Sequence, residues 1–210
     1  MNNLQKRILT SFIILPLSIF FVVKGGYFLT FFLIFIFFAG IHELFSSFKK
    51  TTTIIFLCLT LILSLFSIYF LREESAILLY LAIAVPISSD IGGYVFGKIF
   101  KWKKLTKISP KKTISGVFGS YFFSIVCLYI FFETYDVISQ EVGFRELLIT
   151  IIFSSVAQIG DLGISYFKRL EKIKDTGKIL PGHGGIFDRI DGLMFVVILA
   201  FVLIQINIIP

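Results

Sequence analysis

The chain has 210 residues, 57% of them apolar and 27 of them Phe, with 16% charged and a mean hydropathy of +0.94. Such values exclude a soluble globular domain and a disordered chain, and the continuous apolar run over 54–71 excludes the alternating pattern of a membrane β-barrel. The fold class expected is therefore all-α: a single integral membrane domain over 1–210 with about seven transmembrane helices, because each span takes about 20 residues.

In chain order, Lys6 and Arg7 precede an apolar run over 8–23 that no small-residue cleavage site follows, so an uncleaved first span is expected. Further apolar runs cover 27–42, 54–71, 76–89, 114–132, 147–167 and 193–209. The first three spans form an N-terminal part, 1–75, and the remainder, 76–210, carries the catalytic loops. The fourth run is short, and Pro86 interrupts it before Ser88, Ser89 and Asp90. A broken helix continuing through 91–100 is expected there, which hints at a site. His42 and Glu43, at the end of the second run, are expected to cap or snorkel. Cys58 and Cys127 sit inside apolar runs without C-x-x-C spacing and are expected to be packing residues.

Charge sets the orientation. With the N-terminus inside, all of the 20 Lys and Arg except Lys24, Arg72 and Arg145 fall on inner segments. A cytoplasmic N-terminus follows, with two long inner loops, 90–113 and 168–192, that hold most of the polar chemistry. Nucleic-acid binding is a poor reading, because the basic residues are interleaved with spans.

The second inner loop runs from Asp161 and Lys168-Arg169 through Lys174-Asp175-Thr176-Gly177 to Pro181-Gly182-His183-Gly184-Gly185-Ile186-Phe187-Asp188-Arg189-Ile190-Asp191. Asp161, Asp188 and Asp191 lie at span ends, where an ionised carboxylate is costly unless paired, hydrated or bound to metal. If the last span starts near Phe187, Asp188 and Asp191 share a helical face and suit a hard cation such as Mg²⁺. The glycine-rich turn before that span can aim backbone N–H groups at an anion. An ordinary re-entry turn with acidic first-turn residues accounts for the same pattern equally well. In the first inner loop, Lys111, Lys112 and Thr113 follow a Ser109-Pro110 turn and precede a span, which places donors at headgroup depth. The other lysines there are explained by orientation and by anionic lipid.

The run Ser-x-Phe-Lys-Arg-x4-Lys-Asp-x-Gly-x2-Leu-Pro-x-His-Gly-Gly-Ile-x-Asp-Arg-Ile-Asp, from Ser165 to Asp191, closely resembles the signature of the phosphatidate cytidylyltransferases, or CDP-diacylglycerol synthases. Asp90, Tyr94, Gly97, Lys98 and Ser109 to Thr113 add a second match, so the resemblance covers roughly residues 80–195. It implies a phospholipid-biosynthetic nucleotidyltransferase of the inner (plasma) membrane with its site in the cytoplasm. The reaction would convert CTP and phosphatidic acid to CDP-diacylglycerol and pyrophosphate. It implies Asp161, Asp188 and Asp191 as ligands of Mg²⁺, with a second cation left open, and Lys168, Arg169 and Arg189 as stabilisers of developing charge. Lys111, Lys112 and Thr113, with Lys174, Asp175, His183, Gly184 and Gly185, would contact substrate, and Asp90 would join the metal directly or at one remove. A homodimer is left open.

Ile164 stands where many members carry Glu, Ser115 stands where an acidic or amide side chain is common, and the chain is shorter than typical members. The competing readings are a CTP-dependent polyprenol or lipid kinase, which would release CDP, and a non-catalytic lipid-binding membrane protein. The complete signature argues against the first. The second would call for an intramembrane charged pathway or inverted repeat, and the two halves of the sequence show neither.

Overall fold

A computed structural model describes residues 3–134, 142–177, 179–180 and 184–208, with side chains described from Thr10 onward except Ser11. Among these described residues seven α-helices run in chain order: α1 (Asn3–Lys24), α2 (Gly26–Ser47), α3 (Thr51–Glu74), α4 (Ala76–Phe100), α5 (Ile114–Thr134), α6 (Phe144–Leu170) and α7 (Phe187–Gln205). Five of them, α2 to α6, are long and apolar enough to cross a membrane, and α1 contributes a shorter apolar stretch over Phe12–Lys24. The 19 residues of α7 begin with Asp188, Arg189 and Asp191, and an apolar run to Gln205 follows. The chain is a multi-pass helical membrane protein.

Pro86 does not break α4, contrary to the sequence-based expectation. The missing N–H and ring clash of an internal proline cost about 3 kcal/mol. Here Ala82, Val85 and Pro86 are buried among α5, α6 and α7, and that packing offsets the loss. Asp90, Tyr94, Gly97 and Lys98 therefore lie on a helix and not in a loop. The two long connections expected at 90–113 and 168–192 shrink to 101–113 and 171–186, because α4, α6 and α7 extend into segments expected to be loops.

Two apolar cores fill the bundle. One joins Leu71, Leu79, Val85, Leu128, Phe153 and Val197 across α3 to α7, and the other joins Leu29, Leu44, Leu57, Ile164, Phe187 and Met194 across α2, α3, α6 and α7. The outer faces carry exposed Phe12, Tyr27, Phe31, Phe38 and Phe118, as suits lipid solvation. Between α4 and α5 the backbones touch. A Cβ at Gly92 would overlap the carbonyl oxygen of Gly119. Buried hydroxyls knit the next layer: Ser120 donates to the Ser89 carbonyl at 2.8 Å, and Ser89 lies 3.0 Å from Ser154.

Short connections force antiparallel neighbours and so gather loops by parity. α1 meets α2 through Gly25, and α3 meets α4 through Ser75. Phe48–Lys50, 101–113 and 171–186 collect at the opposite end. Lys50 N–H donates to Glu171 Oε1 at 2.9 Å, and the Ser47 hydroxyl donates to the Thr176 carbonyl. The polar residues of distant segments thus meet at one end of the bundle.

Candidate active site

The connection 101–113 is a small hairpin. Lys112 N–H donates to Ser109 O at 3.0 Å, closing a turn with Pro110 at its second position, where the fixed proline φ is favourable. Lys104 then pairs with Thr113 across the hairpin. Thr113 ends the hairpin and starts α5, because its Oγ1 accepts the Gly116 N–H at 3.1 Å as a helix cap. The hairpin delivers Lys112 to α6, where its ammonium forms an ion pair with Asp161. Lys111 remains exposed beside it.

From α6, Lys168 points into the bundle end and is only 7% exposed. An ammonium this buried needs counter-charges. It donates to Asp188 Oδ1 at 2.9 Å and stands 3.8 Å from Asp191 Oδ2. The carboxyl of Asp191 is also in electrostatic range of that of Asp161, and Asp90 on α4 of Asp161, Lys112 and Arg189. Two facing carboxylates are unfavourable unless cations flank them, and Lys112 and Lys168 do so.

Asp188 is engaged differently from its expected place among the metal ligands. Its Oδ2 accepts the N–H groups of Thr176 and Gly185, both at 2.9 Å, while Lys168 holds Oδ1. It anchors the 171–186 loop to the first turn of α7. Gly184 has φ +91°, a left-handed conformation that a side chain would strain, and a Cβ there would come 2.8 Å from Asp188 Oδ2. The expected anion-binding N–H groups at the start of α7 are also taken, by protein. Ile186 N–H donates to Glu43 Oε1 at 2.8 Å and Phe187 N–H to Glu43 Oε2 at 3.0 Å.

Asp90, Lys112, Asp161, Lys168, Asp191 and Arg189 are therefore brought into one neighbourhood. Others of the expected residues lie apart from it. Arg169 is exposed and donates to the Ile173 carbonyl at 2.8 Å, closing the end of α6, while Lys174 and Asp175 are exposed on the loop. His183 lies outside the described residues. Among the described residues no three His, Cys, Asp or Glu side chains form a preformed metal cluster. The donor chemistry nevertheless suits a hard divalent cation, since Asp161 on α6 and Asp191 on α7 offer carboxylate oxygens beside Lys112 and Lys168.

Glu43 is the residue whose importance sequence reasoning underweighted. It is 1% exposed and reaches the 171–186 loop and α7 from α2. The available signal was a carboxylate in an otherwise apolar run, which is costly unless something definite receives it.

Comparison with known proteins bears on this geometry. Residues 46–207 match a family model described as the cytidylyltransferase family. Curated relatives named phosphatidate cytidylyltransferase include that of Staphylococcus epidermidis, 43% identical over 141 residues, covering 65% of this chain and 54% of the relative. That of Staphylococcus saprophyticus is 40% identical over 141 residues, covering 66% and 54%. The Staphylococcus aureus protein is 41% identical over 139 residues, covering 65% and 53%. The chain spans about half the length of the curated relatives it matches. With the family match extending over most of its helices and over the 101–113 and 171–186 connections, the chain belongs to the cytidylyltransferase family.

Proposed function

We propose that this chain catalyses cytidylyl transfer from CTP to phosphatidic acid, giving CDP-diacylglycerol and pyrophosphate at a cytoplasmic membrane surface. Family membership supports the reaction class, and the name of the Staphylococcus relatives supports the lipid acceptor. The observation that carries the reading is the alternation of acidic and basic side chains from α6, α7 and the 101–113 hairpin at the loop-bearing end of the bundle.

Phosphatidate brings its own ionised phosphate, so the protein need not activate a nucleophile. A phosphate oxygen of the lipid attacks the α-phosphorus of CTP, and the bond to the β,γ-pyrophosphate breaks. Catalysis of this kind rests on alignment and on neutralising charge. Lys112 and Arg189 would receive CTP phosphates from the aqueous side, and Lys168 would hold the acidic groups in register. Asp161 and Asp191, with Asp90 beside them, would hold Mg²⁺, which when bound supplies charge neutralisation across the reacting phosphates. Asp188 contributes by fixing the loop. The hairpin lysines, Lys111 among them, face the side where anionic headgroups lie.

Purified chain in detergent, given CTP, phosphatidic acid and Mg²⁺, is expected to release pyrophosphate in step with CDP-diacylglycerol, and only when lipid is present. Release of CDP instead would identify a kinase and overturn the reading.

A further inference from the structure

The connection 171–186 is long and contains four glycines, and among its described residues only Leu180 and Gly184 pair, yet it must hold the first turn of α7 in place. What holds it comes from α2. The Glu43 carboxylate accepts Ile186 N–H and Phe187 N–H, and the Thr176 hydroxyl lies 3.4 Å from its Oε2. One helical turn further, the Ser47 hydroxyl donates to the Thr176 carbonyl. The loop backbone closes over the same side chain: a Cβ at Gly177 would stand 2.7 Å from Glu43 Oε1, and one at Gly185 would collide with Glu43 and Thr176. Glu43 is nearly inaccessible to solvent, with no Lys or Arg ion-paired to it among the described residues. Its charge is held by backbone N–H groups at a helix N-terminus, where the macrodipole favours an anion.

The consequence reaches the acidic and basic cluster in two steps. Thr176 and Gly185, which sit against Glu43, are the residues whose N–H groups grip Asp188 Oδ2, and Asp188 in turn orients Lys168 beside Asp191. Glu43 lies N-terminal to the matched segment 46–207, so the N-terminal helices take part in shaping the site. We propose that Glu43 is a positioning residue: it latches the 171–186 loop and α7 to α2 and so sets the spacing of Asp161, Lys168 and Asp191. This inference rests on the proposed cytidylyl transfer for its catalytic consequence, but not for the latch itself.

The test uses the purified 210-residue chain in detergent and its Glu43→Gln, Glu43→Ala and Ser47→Ala variants. Trypsin cleavage after the exposed Lys172 and Lys174 reports loop release without reference to turnover. Losing a buried charge-assisted bond raises the open population, so cleavage should accelerate about 10-fold in both Glu43 variants and about 3-fold in Ser47→Ala. Where Glu43→Ala does not fold, Glu43→Gln and Ser47→Ala carry the test. The second readout is the Mg²⁺ concentration giving half-maximal CDP-diacylglycerol formation, expected to rise about 10-fold in Glu43→Gln. A general loss of folded molecules lowers the maximum and leaves that concentration where it was. Wild-type cleavage rates in the variants would overturn the latch, and faster cleavage with an unmoved Mg²⁺ midpoint would overturn the positioning role. A wild type that makes no CDP-diacylglycerol would defeat the proposed function, while the cleavage rates would still decide the latch.

Discussion

Lys168 holds the polar end of the bundle together. Its ammonium is buried between Asp188 and Asp191, 2.9 Å from the first and 3.8 Å from the second. Replacing it by Met preserves length and removes charge, leaving Asp188 and Asp191 without the ammonium between them. Breaking such a network from one side costs about 3–5 kcal/mol. Lys168→Met should lower the thermal unfolding midpoint in detergent clearly and abolish turnover; an unshifted midpoint would show that the ion pairs carry little of the local stability. Asp188 teaches a related lesson. Its spacing from Asp191 makes it a natural metal-ligand candidate in sequence, but spacing does not reveal that loop N–H groups claim one oxygen and Lys168 the other. Partners of a carboxylate come from chain folded back on itself, which one-dimensional spacing does not encode.

At the scale of elements, hydropathy locates all seven helices, because each must cover its backbone polar groups in lipid and does so with a continuous apolar run. Their polar ends are less legible. α4 continues eleven residues past the expected end of its apolar run at 89, carrying Asp90 and Lys98 on a helix, because packing against α5 sustains it beyond the apolar stretch. That packing has a checkable basis at Gly92 and Gly119, whose backbones meet without intervening side chains. Gly92→Val should separate α4 from α5 and destabilise the detergent-solubilised protein by about 1–3 kcal/mol, read as a lower unfolding midpoint. An unchanged midpoint would mean that the seam tolerates side chains. Likewise, the glycine-rich turn before α7 reads as an anion site in sequence. It becomes a protein-filled one because Glu43, more than 130 residues upstream, reaches the same N–H groups.

For the whole molecule, the parity of short connections does the organising. Single-residue joints at Gly25 and Ser75 leave 48–50, 101–113 and 171–186 at the other end, where Lys112 ties the second to α6 through Asp161 and Lys50 ties the first to the third through Glu171. The proposed function places CTP on that side and the lipid phosphate at the depth of the same carboxylates. The central claim is that the cluster around Asp161 performs the transfer, and the opposite end supplies an internal control in the exposed Glu74. The decisive measurement is CDP-diacylglycerol and pyrophosphate formation by wild type, Asp161→Asn and Glu74→Gln, each shown to be folded by its helical signal. Wild type and Glu74→Gln should turn over alike, and Asp161→Asn should lose about 100-fold or more in rate, since a carboxylate proposed to hold the neutralising Mg²⁺ is gone. Turnover of folded Asp161→Asn at the wild-type rate would contradict the account.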